Sequence, residues 1–339
     1  MKRHGFLFDR IVAFDNLTEA ARKAFRGQKD RPAVARMYFH QETELWQLQE
    51  ELVSGAYRPR PYHVFEIREP KRREICAADI RDRVVHHAIC NLLGPIFESR
   101  MISDTFACRP GKGTHAAVRR AQAMAQHHRY FLQCDVRKYF SSISHEVLKA
   151  MLRRQIKDAR VVELLDLIID HPLPAATGPG RGLPIGNLTS QYFANLYLGE
   201  LDHFVKERLR VGGYLRYMDD FILFGSDKRS LRERLQTVRE FVTGELRLEL
   251  KEEATIIAPV GQGASFLGFR VFPQLVKLSG EKWRRFRHRV RKLEEDFSAG
   301  LISEDELARS VGSMLGHIRH ADTLAARRNF FDPSVSGWM

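Results

Sequence analysis

The sequence predicts an α+β protein, an antiparallel sheet with helices on one face. Three features carry that prediction: a short apolar strand followed by a capped helix near residues 130–151, a hairpin at 214–224 with acids at its tip, and a basic helical stretch beyond residue 280. Residues 16–54 have helical spacing, with Leu45, Leu48 and Leu52 on one face and Ser54-Gly55 as a stop. Residues 57–75 are rich in Pro and Arg around the β-like run Val64-Phe65-Glu66-Ile67, the profile of a basic extended hairpin. Helical spacing returns over 79–97 through Val84, Ala88, Leu92 and Leu93. Tyr130-Phe131-Leu132-Gln133-Cys134-Asp135-Val136 reads as an apolar strand closing on an acid, and Ser144 caps a helix through Val147, Leu148 and Met151. Tyr214-Leu215-Arg216-Tyr217 and Phe221-Ile222-Leu223-Phe224 are β-prone runs separated only by Met218-Asp219-Asp220, a tight hairpin. Ser230-Leu231-Arg232-Glu233 and Ser303-Glu304-Asp305-Glu306 are capping boxes that open two further helices, the first with Leu231, Leu235, Val238 and Val242 on one face. Between them, residues 283–292 interleave Trp283 and Phe286 with arginines, a pattern that on a helix could follow a phosphate backbone.

With 44% hydrophobic and 29% charged residues over 339 positions, the composition is that of a folded chain, which excludes disordered and low-complexity classes. Length alone suggests about two domains. Lys+Arg exceed Asp+Glu by 55 − 42 = 13, so a polyanionic partner is expected, nucleic acid first; the alternative is a solvated basic surface. No apolar run has the length of a membrane span and residues 1–10 do not read as a signal peptide, so a soluble, intracellular protein is expected. Cys76, Cys90, Cys108 and Cys134 form no C-x-x-C pair and are expected to be buried thiols. The adjacent pairs His86-His87 and His127-His128 point apart on any regular element, which argues against a metal site. No internal repeat and no Gly/Ser linker divides the chain.

Two carboxylates at one hairpin tip repel by several kcal/mol at an effective dielectric near 20. Divalent cations offset that repulsion, and a pair of magnesium ions roughly 4 Å apart, bridged by carboxylates of different strands, serves in-line phosphoryl transfer in polymerases and nucleases. Asp135, at the end of its own strand, would be the third carboxylate. The competing reading of Asp219-Asp220 is an ordinary turn, since Asp is frequent there.

Tyr217-Met218-Asp219-Asp220 followed by Phe221-Ile222-Leu223 resembles the Y-x-D-D motif of reverse transcriptases, and other segments fall in that family's order. Asp135-Val136-Arg137-Lys138-Tyr139-Phe140 resembles its first palm motif; residues 106–116 (FACRPGKGTHA) resemble a fingers segment of group II intron-like enzymes; Lys251 and Phe266-Leu267-Gly268-Phe269 resemble the fourth motif and the primer grip; residues 310–323 resemble the start of a thumb. Where most of the family has Gln-Gly and Ser-Pro, this chain has Ile185-Gly186-Asn187-Leu188-Thr189-Ser190-Gln191, a form similar to the reverse transcriptases of diversity-generating retroelements. Those enzymes copy a template-repeat RNA and misincorporate opposite its adenines. A Gln at 185 could hydrogen-bond near the incoming nucleotide, whereas Ile185 offers only apolar contact and would discriminate less.

The resemblance implies a right-hand polymerase: an N-terminal helical extension (1–55), fingers and palm on an antiparallel sheet (56–272) and a short helical thumb (273–339). It implies that Asp135, Asp219 and Asp220, with the Val136 carbonyl, hold two Mg2+ ions, one activating the primer 3′ hydroxyl and the other steadying the leaving pyrophosphate. Phe140 stands where the family places the aromatic that excludes a 2′ hydroxyl; a core Phe is the equal alternative. Lys71 and Arg73 are the candidate triphosphate clamps, with Arg72 between them not separable from either. Lys251 is the candidate proton donor to pyrophosphate, beside the reading of an exposed lysine flanking a helix. Ile185, Gly186 and Gln191 complete the nucleotide pocket, Gly186 letting the backbone approach substrate and Gln191 as a family marker. The short flanks suggest that no RNase H, endonuclease or DNA-binding module is present. The implied partners are template RNA and cDNA, deoxynucleoside triphosphates and a small basic oligomeric accessory protein, with no membrane, in the cytoplasm of a prokaryotic or phage-infected cell and in the service of mutagenic retrohoming. A defence-associated or intron-derived reverse transcriptase, and an RNA-binding scaffold without chemistry, are the alternatives.

Overall fold

The computed structural model describes residues 3–68, 72–173 and 178–332. The chain opens with α1 (Phe8–Ile11), α2 (Phe14–Phe25), α3 (Pro32–Phe39) and α4 (Gln41–Ser54), then the hairpin β1 (His63–Ile67) and β2 (Arg73–Ala77). Helices α5 (Ile80–Glu98) and α6 (Thr114–Gln126) precede β3 (Tyr130–Asp135), which is followed by α7 (Tyr139–Ser142), α8 (His145–Gln155), α9 (Ala159–Ile169) and α10 (Leu188–His203). Next come β4 (Tyr214–Tyr217), β5 (Asp220–Gly225), α11 (Lys228–Gly244), β6 (Ile256–Pro259), β7 (Ala264–Phe266), β8 (Phe269–Val271) and β9 (Val276–Leu278). Helices α12 (Gly280–Ser298), α13 (Glu304–Ile318) and α14 (Leu324–Phe331) close the described chain. The strands form a β1-β2 ribbon, a four-stranded sheet in the order β4-β5-β3-β6 and a three-stranded β7-β8-β9 meander. The expected α+β class is the one observed.

Three local expectations need correction. The helical stretch at 16–54 is three helices, because Pro32 sits at the start of α3, where its missing N–H would go unused in any case, and so begins a new helix. The first capping box does not form: Asp227 Oδ1 accepts the Ser230 N–H at 2.7 Å, and Ser230 lies inside the first turn of α11. A carboxylate one residue ahead of the helix is a strong cap and also complements the helix dipole. Cys108, expected to be buried, is exposed, since its φ of 53° turns it out of the loop before α6. The other cysteines are buried, and the Ser303–Glu306 box forms with both reciprocal bonds.

The chain divides into two compact units. The first comprises Met1–Ser103, Asp135–Leu209 and Thr237–Lys251. Its core brings α2 and α10 against α5, burying Leu17, Ala20, Ala24 and Phe25 of α2 and Val84, Ala88, Leu93 and Phe97 of α5. Each large apolar side chain removed from water there contributes about 1.5–3 kcal/mol. The one carboxylate inside this core, Asp82, is satisfied by the Tyr57 hydroxyl at 2.7 Å and the Arg60 N–H at 2.8 Å. Burial still pushes its acidity constant above the usual carboxylate range.

The second unit comprises Asp104–Cys134, Arg210–Gln236 and Glu252–Met339. Phe106, Val118, Leu215, Ile222, Phe224, Phe266 and Phe269 form its core beneath the four-stranded sheet and the meander. Phe286, Val290 and Ile318 form a satellite core between α12 and α13, with Trp283 stacked on Phe286 at 5.3 Å. Among the described residues no helix is long and apolar enough to cross a membrane.

Candidate active site

In the second unit, β4 and β5 pair antiparallel from Tyr214↔Leu223 to Tyr217↔Asp220, which leaves Met218 and Asp219 as the two turn residues. Met218 has a φ of 57°, a left-handed conformation rarely adopted by a long side chain and costing roughly 1–3 kcal/mol. The surroundings hold it there. Arg216 is fully buried and its guanidinium Nη1 donates to the Met218 carbonyl at 2.8 Å, across the base of the turn. Tyr214, Leu215, Phe221, Ile222 and Leu223 are completely buried, so the hairpin is anchored on both strands while Asp219 and Asp220 stay half-exposed at its tip.

Two further side chains reach this turn. The Gln133 amide on β3 donates to Asp220 Oδ1 at 3.1 Å and to the Ser265 carbonyl at 2.8 Å, fixing one carboxylate oxygen. The Thr114 hydroxyl at the start of α6 donates to the Tyr217 hydroxyl at 3.2 Å. Residues 106–116, expected with the fingers, belong to this unit and lie on β4: the Phe106 N–H donates to the Arg216 carbonyl at 3.0 Å, and the Gly113 N–H closes the loop on Phe106 at 3.1 Å. Sequence reasoning missed Arg216, Gln133 and Thr114. The available signal was a lone charged or amide residue inside an otherwise apolar run, at 216 and at 133. Phe266-Leu267-Gly268-Phe269 forms the β7–β8 turn, with the Leu267 carbonyl accepting from Lys282 Nζ at 2.9 Å.

The first unit carries the other candidates. The Lys251 N–H donates to the Asp135 carbonyl at 2.8 Å, Val136 bridges Leu250, and the Arg137 N–H donates to the Glu249 carbonyl at 2.8 Å. Asp135, Val136 and Lys251 are therefore neighbours along one extended pairing, with the Val136 side chain buried and that of Asp135 half-exposed. Phe140, half-buried in α7, accepts through its carbonyl from the Leu183 N–H at 2.8 Å. That pairing brings the loop before α10 beside it. Two residues on, the Ile185 carbonyl accepts from Cys76 of β2 at 3.0 Å. Gly186 has a φ of 117°, and a Cβ there would stand 2.8 Å from Ile75 Cγ2. The position requires glycine on both counts. Gln191 lies one turn into α10, its N–H on the Asn187 carbonyl at 3.4 Å. Arg73 begins β2 opposite Ile67 and is exposed, Arg72 is ion-paired with Glu66, and Lys71 lies outside the described residues.

The sheet order sets β3, which ends in Asp135, beside β5, which begins with Asp220. Among the described residues no three His, Cys, Asp or Glu side chains are gathered as a bound metal would require. The donor set at the hairpin nevertheless fits a hard divalent cation in kind: two adjacent half-exposed carboxylates, oxygen donors only, one of them oriented by an amide.

An antiparallel sheet presenting a carboxylate pair on a tight, rigidly backed hairpin, in a basic chain, defines the palm of a nucleic-acid polymerase. The chain belongs to the reverse transcriptase (RNA-dependent DNA polymerase) family, whose profile matches residues 68–271, more than half of its length. It is similar to protein YkfC of Escherichia coli (strain K12), 27% identical over 270 residues that cover 67% of this chain and 71% of that protein. It is also similar to the group II intron-encoded protein LtrA of Lactococcus lactis subsp. cremoris, 22% identical over 331 residues covering 77% of this chain and 54% of LtrA. Among solved structures, telomerase from Candida tropicalis with a TWJ fragment of telomeric RNA aligns at a TM-score of 0.53 and 12% identity, covering 85% of this chain and 59% of that one. Apo telomerase from the same organism aligns at 0.51 and 13% identity, covering 68% and 59%. The chain spans little more than half the length of LtrA and of the telomerase chains. At such identity the structural likeness shows the fold alone, the right-hand polymerase fold of reverse transcriptases. The family is one of enzymes, RNA-directed DNA polymerases that work with divalent metal ions.

Proposed function

We propose that this chain is the RNA-directed DNA polymerase of a diversity-generating retroelement: it copies a template-repeat RNA into cDNA, with errors concentrated opposite adenine, for mutagenic retrohoming. The acidic hairpin carries the polymerase reading, since nothing in packing calls for two half-exposed carboxylates on a turn held by a buried arginine. Ile185 and Gln191 carry the subtype. In this reading residues 1–55 form an N-terminal extension, 56–272 the fingers and palm, and 273–339 the thumb.

Asp219, Asp220 and Asp135, with the Val136 carbonyl, would hold two Mg2+ ions, which when bound neutralise triphosphate charge and acidify the primer 3′ hydroxyl. Gln133 keeps the Asp220 carboxylate turned while its charge is engaged. Arg73, with Lys71, clamps the triphosphate as a fixed cation, and Arg72 is held back by Glu66. Phe140 closes the sugar side of the pocket against a 2′ hydroxyl. Ile185 and Gly186 face the nucleobase with apolar contact and bare backbone, and Gln191 stands behind them on α10. The Lys251 ammonium returns a proton to pyrophosphate, carried to the site by the backbone pairing of Lys251 with Asp135. Template choice belongs to a structured RNA and a small basic oligomeric accessory protein, and the site of action is the cytoplasm of a prokaryotic or infected cell.

The intron-derived reading has its own support in the likeness to LtrA, an intron-encoded protein. One experiment separates them: primer extension on an adenine-containing RNA template with Mg2+ and deoxynucleotides, the products sequenced, beside Asp219→Asn. Extension with errors clustered at template adenines, reduced at least about a hundredfold in the variant because metal-held charge is worth several kcal/mol, is expected. Accurate extension would leave the polymerase and remove the retroelement assignment. No extension, with RNA and accessory protein supplied, would leave a binding scaffold.

A further inference from the structure

Asn187 occupies the N-cap of α10, where an asparagine ordinarily turns its side-chain oxygen onto its own helix. Here it makes no such cap bond. Its Oδ1 instead accepts the Ala78 N–H at 3.0 Å, just past the end of β2. The residue is 3% exposed, and its Nδ2 is buried with no hydrogen-bond partner, an unfavourable arrangement that a smaller or apolar residue would avoid. Two residues earlier the Cys76 N–H donates to the Ile185 carbonyl at 3.0 Å, and between these two bonds Gly186 sits so close to Ile75 that a Cβ would collide with it. Alternate N–H groups of β2 thus dock onto residues 185–187 as onto a further strand. One of the two bonds is made by backbone. The other depends on the side chain of Asn187 alone.

We infer that Asn187 is a positioning residue that ties β2 to the Ile185–Gly186 loop and thereby sets the affinity for the incoming deoxynucleoside triphosphate. The inference rests on the polymerase reading, which puts the triphosphate clamp at the start of β2 and the base contact at Ile185. Loss of the tie frees the end of β2 to move relative to the loop, so that clamp and base contact no longer share one frame. Because binding precedes the chemical step, the loss falls on KM for the nucleotide rather than on kcat.

The test compares the full-length chain with Asn187→Leu, which has similar bulk and no acceptor, and Asn187→Asp, which keeps the acceptor and drops the orphaned donor. A carboxylate is tolerated there because the N-terminus of α10 favours negative charge. Deuterium exchange of peptides spanning residues 72–79 reads the tie directly, and deoxynucleotide titration of primer extension reads its consequence. Faster exchange and a KM raised at least tenfold with kcat within threefold are expected for the Leu variant, with both restored by Asp. Unchanged exchange in the Leu variant overturns the tie. Faster exchange with unchanged KM, or an equal fall of kcat in both variants, overturns the link to nucleotide affinity. If the wild-type chain extends no primer, the polymerase reading fails and the affinity link fails with it, while the exchange measurement still decides the tie.

Discussion

Ile185 is half-exposed between a backbone bond to Cys76 on one side and the left-handed Gly186 on the other. Its carbonyl is committed to β2, so only its side chain is available to a nucleotide, and that side chain cannot hydrogen-bond. A pocket wall without donors or acceptors rejects a mismatched base by shape alone, typically worth about 1–3 kcal/mol, or 10–200-fold. Ile185→Gln adds an amide at the same backbone position. Its expected effect is a fall of about tenfold in misincorporation opposite template adenine, scored by sequencing cDNA, with extension on matched templates within a few fold of wild type. An unchanged error spectrum would remove Ile185 from fidelity control. The neighbouring Gly186→Ala gives a harsher outcome, since φ is unsuited to alanine and the new methyl meets Ile75: a loss of at least ~1 kcal/mol in urea denaturation is expected. The importance of these positions was legible in the sequence because the I-G-N-L-T-S-Q string stands out residue by residue. Their coupling to Cys76 and Ala78 was not, because those partners lie more than a hundred residues away and backbone hydrogen bonds leave no trace in residue type.

At the scale of elements, the β4–β5 hairpin was readable from two apolar runs around an acidic tip, and the structure returns it with the register Tyr217↔Asp220. What holds its turn was not readable. A single Arg in a strand reads as an outward-facing residue, yet Arg216 is fully buried and bonded to the carbonyl of a left-handed Met218. The α11 cap moved to Asp227 for a related reason: capping boxes and one-residue carboxylate caps look alike until the backbone chooses. Arg216→Met keeps the bulk of the stem and removes the bond. A hydrogen bond from a charged donor contributes about 1.5–3 kcal/mol, so a loss of that order in a denaturant melt is expected. Activity should fall further than stability explains, by at least tenfold at temperatures where the variant remains folded, because the turn carries both Asp219 and Asp220. Activity that tracks the folded fraction would show that Arg216 serves packing only.

For the whole molecule, titration of buried histidines sets how stability varies with pH. His86 in α5 is 3% exposed, its Nδ1 lacks a partner, and burial, aided by the nearby His87, pulls its pKa down from 6.5 to about 3. In the second unit His115 stacks on His320 at 3.7 Å and lies 5.0 Å from His317; burial and then the neighbouring positive groups lower both His115 and His317. For each of these the unfolded chain binds a proton near pH 6.5 while the folded chain does not, so the unfolded state gains protons first and stability falls as pH drops below about 6.5. For one fully neutral histidine the slope approaches about 1.4 kcal/mol per pH unit, continuing for His86 until the folded form also titrates near 3. His203 works in the opposite sense: burial pulls it down, but Glu207 more than compensates, so its contribution is present at low pH and lost as pH rises. The carboxylates held low, Glu19, Glu146 and Glu306, titrate below their ordinary 4.5 and leave the window from pH 7.5 to 5.5 to the histidines. The melting temperature should therefore fall over that window, and His86→Leu, which replaces the imidazole with an apolar side chain of similar size, should flatten the fall by roughly 1 kcal/mol per pH unit. Urea denaturation of wild type and variant at pH 7.5, 6.5 and 5.5 measures both slopes, and equal slopes would show that His86 takes up its proton within the folded chain.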